Sequence, residues 1–533
     1  MQKLLYPLFL ILAIATFLIL SFKNPYGTSS LIGNFDPFPD SLHYVVPARN
    51  FVTGHGFTFA RESGKTIIGV PPLYSLTLIP IYFFNSDARS YYFANLVLGI
   101  ISIILLFKIS RKLTKSAWMT GLLLFTYATS FVIYWQTSLA MAENVLLPVC
   151  LASLYLALQP FKIKNLVLGV FLAVACYGSK YVSLPITGIF LLFWLWRIWT
   201  EQKKTQKLSS TLLLITLTLI TFLLFNSQHL FNYINQLFQR TLHNNLLAQE
   251  QTSWLSLQYF SESFPKYFSA LMGVPIYNLW YTKAILPIGL AAIVLSWCVY
   301  AFFKLPKQRQ LVALLLTLTV AQLGFLSIIQ MIEGRYAFVF IPIIFTGAAA
   351  MLGWLAEKGK KKFGQKTNNL IQVGSVSFLA GLILLSNFKD LKTQLLLNFK
   401  GGEMPWWQVG IQAADQFIQV ETENNTEKPI IISSLSPFVW DFYRQSDYTI
   451  LPLSTHQSMV KEKIWGEDFD SNQLAAYYQE QLRVGRVIYL ATVGFGRNDW
   501  PILEEYKASG FKLELLKEDC VGACKIYKLE SKQ

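Results

Sequence analysis

Carboxylates are scarce in the first 404 residues of this 533-residue chain, so a reaction that needs one has few sources. Asp36 and Asp40 open a long polar stretch, while Glu143 and Glu333 stand at the ends of apolar runs. A carboxylate at the end of a membrane span is costly to desolvate and faces a cavity or a partner. Glu143, in Ser138-Leu139-Ala140-Met141-Ala142-Glu143-Asn144, reads equally as an acid favoured by a helix N-terminal dipole and as a carboxylate turned into an outward cavity opposite Asp40. Asp40 also reads as the N-cap of a helix beginning Ser41-Leu42-His43-Tyr44, and that role is compatible with a chemical one. Cations accompany these acids: Arg49, Arg61 and Lys65 in the first polar stretch, Lys180 at an interruption between apolar runs, and Arg335 after Glu333-Gly334. Cations at this level suit the phosphate of a lipid carrier. Taken singly, Lys180 or Arg335 reads as well as a side chain reaching for headgroups. His43 and His55 read as hydrogen-bonding residues; no metal site or other cofactor is expected, with a divalent cation left open.

These residues need elements to hold them, and composition says which kind. The chain is 53% hydrophobic and only 14% charged, which excludes a soluble globular enzyme of this size. Residues 1–404 carry 32 Lys/Arg against 12 Asp/Glu, residues 405–533 carry 13 against 18, and the whole has net charge +15. The basic residues sit in short clusters between apolar runs instead of along one face, so nucleic acid is not an expected partner.

Apolar runs at roughly 4–22, 90–107, 117–135, 144–158, 166–178, 182–196, 208–225, 284–303, 311–331, 338–356 and 370–386 predict about eleven transmembrane helices. Basic clusters fall in every second gap, which puts the N-terminus in the cytoplasm and the alternate gaps outside. The outer gaps include the long stretches 23–89 and 226–283 and everything after Asn387. Residues 166–196 are read as two helices broken at Gly178-Ser179-Lys180, because one helix of that length would overshoot the hydrocarbon core. Pro71–Phe84 is read as a half-buried or re-entrant helix.

The tail changes character. Runs at Ile430–Ser434, Tyr448–Leu453 and Val487–Val493 predict strands, Phe511–Leu529 a hairpin, and Trp407–Val420 and Gln473–Arg483 helices. The expected organisation is a membrane body over 1–390 and an extracytoplasmic α/β domain over 405–533. Cys150, Cys176 and Cys298 read as small buried side chains, whereas Cys520 and Cys524 suit a hairpin disulfide if the tail lies outside the cytoplasm.

Asp40-Ser-Leu-His-Tyr44, then Ala48-Arg-Asn-Phe-Val-Thr-Gly54, then Pro71-Pro-Leu-Tyr74 resembles the first external loop of GT-C-fold polyprenyl-phosphate-sugar glycosyltransferases, among them protein O-mannosyltransferases and lipid A aminoarabinose transferases. Glu143, Gly178-Ser-Lys-Tyr181 and Glu333-Gly-Arg-Tyr336 followed by Pro342 are similar to later landmarks of that family. The resemblance covers roughly 1–390. It implies a sugar donor on a lipid-carrier monophosphate, an acceptor hydroxyl, inversion at the anomeric carbon, and Asp40 as general base, with Glu143 beside it in the catalytic set. It further implies substrate contacts from Tyr44, Arg61, Lys65, Lys180, Tyr181, Arg335 and Tyr336. Where family members carry a second acid this chain has Ser41, and where some carry a Lys before Pro-Pro-Leu it has Val70, so other cations, Lys65 among them, would share the phosphate.

The expected protein is therefore a polytopic α-helical, GT-C-like enzyme of the cell (plasma or inner) membrane. Its partners would be a polyprenyl-phosphate-linked sugar, the bilayer, and a lipid, glycan or protein acceptor. An envelope polysaccharide polymerase or ligase, or a polytopic lipid or sugar transporter, is the alternative; a transporter would show broken, charged helices at mid-membrane and repeated halves.

Overall fold

The computed structural model describes residues 2–23, 40–57, 70–226, 256–276, 284–329, 332–400, 406–422, 428–433, 440, 448–452, 471–492, 504, 506–520 and 524–531. In chain order the helices are α1 (Gln2–Ser21), α2 (Asp40–Val52), α3 (Leu73–Phe84), α4 (Tyr91–Thr114), α5 (Ala117–Ala128), α6 (Phe131–Gln136), α7 (Glu143–Ala157), α8 (Ile163–Ser179), α9 (Leu184–Glu201), α10 (Lys204–Asn226), α11 (Phe260–Leu271), α12 (Leu290–Lys304), α13 (Arg309–Leu326), α14 (Phe340–Lys400), α15 (Trp406–Thr422) and α16 (Ser471–Arg483). The chain divides into two compact units. One comprises Met1–Phe22, Val70–Tyr74 and Asn95–Phe399, the other Lys23–Gly69, Ser75–Ala94 and Lys400–Gln533.

Among the described residues seven helical stretches are long and apolar enough to cross a membrane, and five shorter helices are apolar. All eleven apolar runs fall on these elements. At 1.5 Å per residue the 24-residue α4 is about 36 Å long, more than a hydrocarbon core of about 30 Å. Several runs have different bounds from those expected; 311–331, for one, becomes α13, which ends at Leu326. The run 117–135 is divided at Thr129 and Ser130 into α5 and α6, and 284–303 becomes helical only at Leu290. The last two runs belong to one element, α14, which turns at Gly364 (φ 73°, ψ 168°), a conformation glycine adopts without a Cβ penalty. Asn368 fastens the corner by donating to the Ala356 carbonyl at 3.1 Å.

Helix pairs in the first unit close through small residues. A Cβ on Gly169 of α8 would lie 2.3 Å from the Trp194 indole of α9, so only glycine lets these two helices approach as they do. Trp194 is wholly buried there with Leu166, Val170, Ile198 and Leu214. Burying such a side chain contributes about 2–3 kcal/mol. Between α4 and α5 the chain turns through Lys115 at φ 51°, and Ser116 caps α5 by accepting from the Met119 amide while its hydroxyl donates to Gln372 at 2.6 Å.

The second unit holds α2, most of α3 and the C-terminal sheet. Strands β1 (Ile430–Ser433), β2 (Thr449–Pro452), β3 (Ile488–Ala491), β4 (Phe511–Cys520) and β5 (Cys524–Ser531) form one sheet in the order β2-β1-β3-β5-β4. The first three are parallel and the β4–β5 hairpin joins antiparallel. The run Ile430-Ile431-Ile432-Ser433 is buried throughout, as parallel strands covered on both faces are. Cys520 and Cys524 are register partners across the hairpin.

Candidate functional site

The first unit positions Lys180 through a helix break. A continuous helix over 163–201 would be about 58 Å long, about twice the hydrocarbon core. Instead α8 ends at Ser179, Lys180 is extended (φ −157°, ψ 129°), and a 3-10 turn over Tyr181–Ser183 leads into α9. The break is stitched on both sides. Ser183 Oγ donates to the carbonyls of Cys176 (2.6 Å) and Lys180 (2.7 Å), and Gln322 of α13 donates to the Val182 carbonyl at 2.8 Å. Pro185 sits in the first turn of α9, where its missing N–H costs nothing.

Glu143 is the first residue of α7 and is fully buried. Lys180 Nζ donates to its Oε1, an ion pair between residues 37 apart in sequence. Its Oε2 has no hydrogen-bond partner among the described residues. A buried carboxylate of this kind persists only with a cation against it.

Arg335 lies in the 3-10 segment Gly334–Val339 that precedes α14 and is 5% exposed. Its Nε is 3.5 Å from Glu333 Oε2 and its Nη1 3.9 Å from the sulfur of Met141, two residues before Glu143. Tyr336 joins the two cations: Lys180 Nζ stands 4.9 Å and the Arg335 guanidinium 5.6 Å from its ring centroid. Cations at these distances are attracted by the ring face. On α11 the Tyr267 hydroxyl accepts from the Glu333 amide at 3.1 Å; burial pushes this phenol well above its ordinary range, so it stays neutral. The Tyr181 ring lies 5.2 Å from that of Tyr177, tilted at 46°.

Five of the residues singled out in the sequence, Glu143, Lys180, Tyr181, Arg335 and Tyr336, thus lie in one unit, and four of them form a single cluster. Two cations thus meet at one tyrosine ring, each beside a carboxylate. The other expected site residues belong to the second unit or lie outside the description. Tyr44 is buried in α2. Asp40 heads α2, and its side chain, like Arg61 and Lys65 altogether, lies outside the described residues. In the same unit Arg49 Nε donates to the Ser86 carbonyl at 2.8 Å. Next to it Asp87 takes a bidentate bond from Arg89 at 3.0 and 2.7 Å.

Sequence reasoning missed the residues that set Glu143 in place. Buried Asn95 of α4 donates to the carbonyls of Thr137 (3.0 Å) and Leu139 (2.8 Å) and accepts from the Tyr74 hydroxyl at 2.7 Å. Asn144 donates to the carbonyls of Gln136, Leu139 and Met141 at 3.0–3.2 Å. These two amides hold the irregular stretch 137–142 that delivers Glu143 to its helix. The available signal was an Asn inside the apolar run Ala94-Asn95-Leu96-Val97, a position where a buried amide needs partners. Among the described residues no three His, Cys, Asp or Glu side chains are placed to hold a metal ion.

No family sequence model matches this chain, and no curated protein sequence does. Solved structures do match. The crystal structure of ArnT from Cupriavidus metallidurans in the apo state aligns with 98% of this chain and 97% of its own at a TM-score of 0.57 and 12% identity. The chain has the ArnT fold. A second ArnT structure from the same organism, bound to undecaprenyl phosphate, aligns over the same shares with a TM-score of 0.61 and 12% identity. The match to ArnT runs through the helices and the C-terminal sheet alike, and it bears out the GT-C-like, polytopic architecture expected from the sequence. At this identity ArnT and the present chain share a backbone plan, and the side chains described above are this chain's own.

Proposed function

We propose that this protein is a membrane glycosyltransferase that moves a sugar from a polyprenyl-phosphate carrier to an acceptor hydroxyl on the extracytoplasmic side, with inversion at the anomeric carbon. The observation that carries the reading is an ArnT fold over nearly the whole chain, one matching structure holding undecaprenyl phosphate, together with two buried cations gathered on Tyr336. The reaction asks for such cations. The leaving group is a phosphate, which departs as an anion and needs positive charge rather than a general acid.

In this reading Lys180 and Arg335 hold the carrier phosphate, and Glu143 fixes the Lys180 ammonium. Asp40 takes the proton of the acceptor hydroxyl as its oxygen bonds to the anomeric carbon. The bond from that carbon to the phosphate oxygen breaks in the same displacement, polyprenyl phosphate leaves with the electron pair, and the configuration inverts. Tyr44, Arg61, Lys65, Tyr181 and Tyr336 serve the substrates. The N-terminus lies in the cytoplasm and the C-terminal sheet outside, in the cell membrane.

The test uses purified full-length protein in nanodiscs with a defined polyprenyl-phosphate sugar. Asp40→Asn lowers transfer by about 100-fold or more and leaves carrier binding intact, whereas Lys180→Met with Arg335→Met weakens carrier binding. Unchanged turnover in Asp40→Asn refutes the base assignment. Carrier that crosses the membrane with its sugar still attached identifies a transporter instead. Cysteine labelling of the tail from outside intact cells checks the orientation.

A further inference from the structure

Lys180 lies at one end of α8 and α9; the opposite end of the same unit, about 25 Å away along α9, contains a cavity of about 420 Å³. It opens where α4, α7 and α9 end and α13 begins. Lys112, Arg197 and Lys307 line it, and among the described residues no acid does. Arg197 is already neutralised: Nε and Nη2 bond both oxygens of Glu201 at 2.6 and 2.8 Å, and Nη1 caps α7 through the Gln159 carbonyl at 3.0 Å. Among the described residues no carboxylate pairs with Lys112 or Lys307. Lys112 donates to the neutral Gln159 side chain at 3.0 Å, and Lys307 precedes the first turn of α13, whose Gln310 also faces the cavity. Two uncompensated ammonium groups and a helix N-terminus converge there, and both favour an anion.

The setting selects the kind of anion. The cavity sits where the apolar helices α4, α7 and α9 end, and its lining includes the apolar Leu113, Leu311 and Leu314. On the same turn of α9 as Arg197, Trp196 and Trp199 project outward, 40% and 57% exposed, as aromatic side chains do at the headgroup level. Basic pockets between membrane helices at this depth receive phospholipid headgroups. We propose that this cavity binds the phosphate headgroup of an anionic membrane phospholipid, as a site separate from the Lys180 cluster.

Full-length protein is purified into nanodiscs of phosphatidylcholine containing a minor share of phosphatidylglycerol, and lipid retained on release is counted by native mass spectrometry. Wild type retains phosphatidylglycerol in preference to phosphatidylcholine. K112Q with K307Q lowers that retention about tenfold or more, and K358Q with K360Q, which removes two exposed lysines elsewhere, changes it less than twofold. Both variants melt with wild type in pure phosphatidylcholine, which shows that the loss is of binding and not of fold. Retention unchanged in K112Q/K307Q, or an equal loss in K358Q/K360Q, overturns the site. Displacement of the lipid by millimolar inorganic phosphate overturns the lipid assignment in favour of a soluble anion.

Discussion

Removing Lys180 should be worse for the protein than removing the whole ion pair. Glu143 is fully buried and Lys180 is 7% exposed, so neither has water to fall back on. At an effective dielectric of about 20, two unit charges 4 Å apart attract by about 4 kcal/mol, and stripping one partner from a buried pair typically costs about 3–5 kcal/mol. Lys180→Met leaves the Glu143 carboxylate with neither oxygen bonded, so it should fall at the upper end of that range. Glu143→Gln keeps an acceptor near the ammonium, which still has the Tyr336 ring beside it, and should cost about 2 kcal/mol. The double variant buries two neutral groups of similar size and should cost no more than about 2–3 kcal/mol, giving a coupling energy of about 3 kcal/mol or more. Equilibrium unfolding of the four proteins in mixed micelles measures it. Single-variant losses that add to within about 0.5 kcal/mol would mean that the two side chains act independently, and the account of the cluster given above would be wrong.

Three further outcomes can be checked on the same preparations. Asn95→Leu should destabilise by about 2–4 kcal/mol by removing the acceptor of the Tyr74 hydroxyl and the donor to two carbonyls, and Tyr74→Phe by about 1 kcal/mol, both read by unfolding; the reverse order would contradict the network. Gly169→Ala should destabilise by about 1–3 kcal/mol, since its Cβ meets Trp194 at 2.3 Å, whereas Gly374→Ala, with open space at that position, should be neutral or slightly stabilising. For Asp87, burial pushes the carboxyl up but the hydrogen bonds and charge of Arg89 outweigh it, leaving the pKa below the ordinary value. A depressed folded pKa gives stability that is present at neutral pH and lost as pH falls through the folded value. The stability gap between wild type and Asp87→Asn should therefore close below about pH 4, followed by thermal unfolding from pH 3 to 7; a constant gap would show that the charge is not the cause.

What was legible in the sequence was whatever depends on local periodicity. The apolar runs, the break at Gly178-Ser179-Lys180 and the tail strands at Ile430, Thr449 and Ile488 all announce themselves within a window of about ten residues, because burial imposes a period or a run on the side chains. The division of 117–135 at Ser130 was hidden, since Phe131-Val132-Ile133 continues the apolar run and no Pro or Gly stands at the break. Gly364 was hidden among lysines in a stretch that reads as a polar connection, although it is the corner of a helical hairpin. At the site, the residue types and their order along the chain were legible from Glu143, Lys180 and Arg335. Their partners were not: a bond across 37 residues, or the reach of Asn95 to the 137–139 carbonyls, is set by how helices pack, which a single sequence does not encode in any local pattern.

The Gly364 corner has a mechanical consequence. The limb before it is mostly interior, 78% of its most apolar window being buried, while the limb after it is almost wholly peripheral at 6%. The Asn368 bond to Ala356 ties the two sides, one turn after the vertex on one limb and about two turns before it on the other. The peripheral limb is therefore fastened to the interior one at their shared corner, and the interior limb is in turn preceded directly by the 3-10 segment that carries Arg335 and Tyr336.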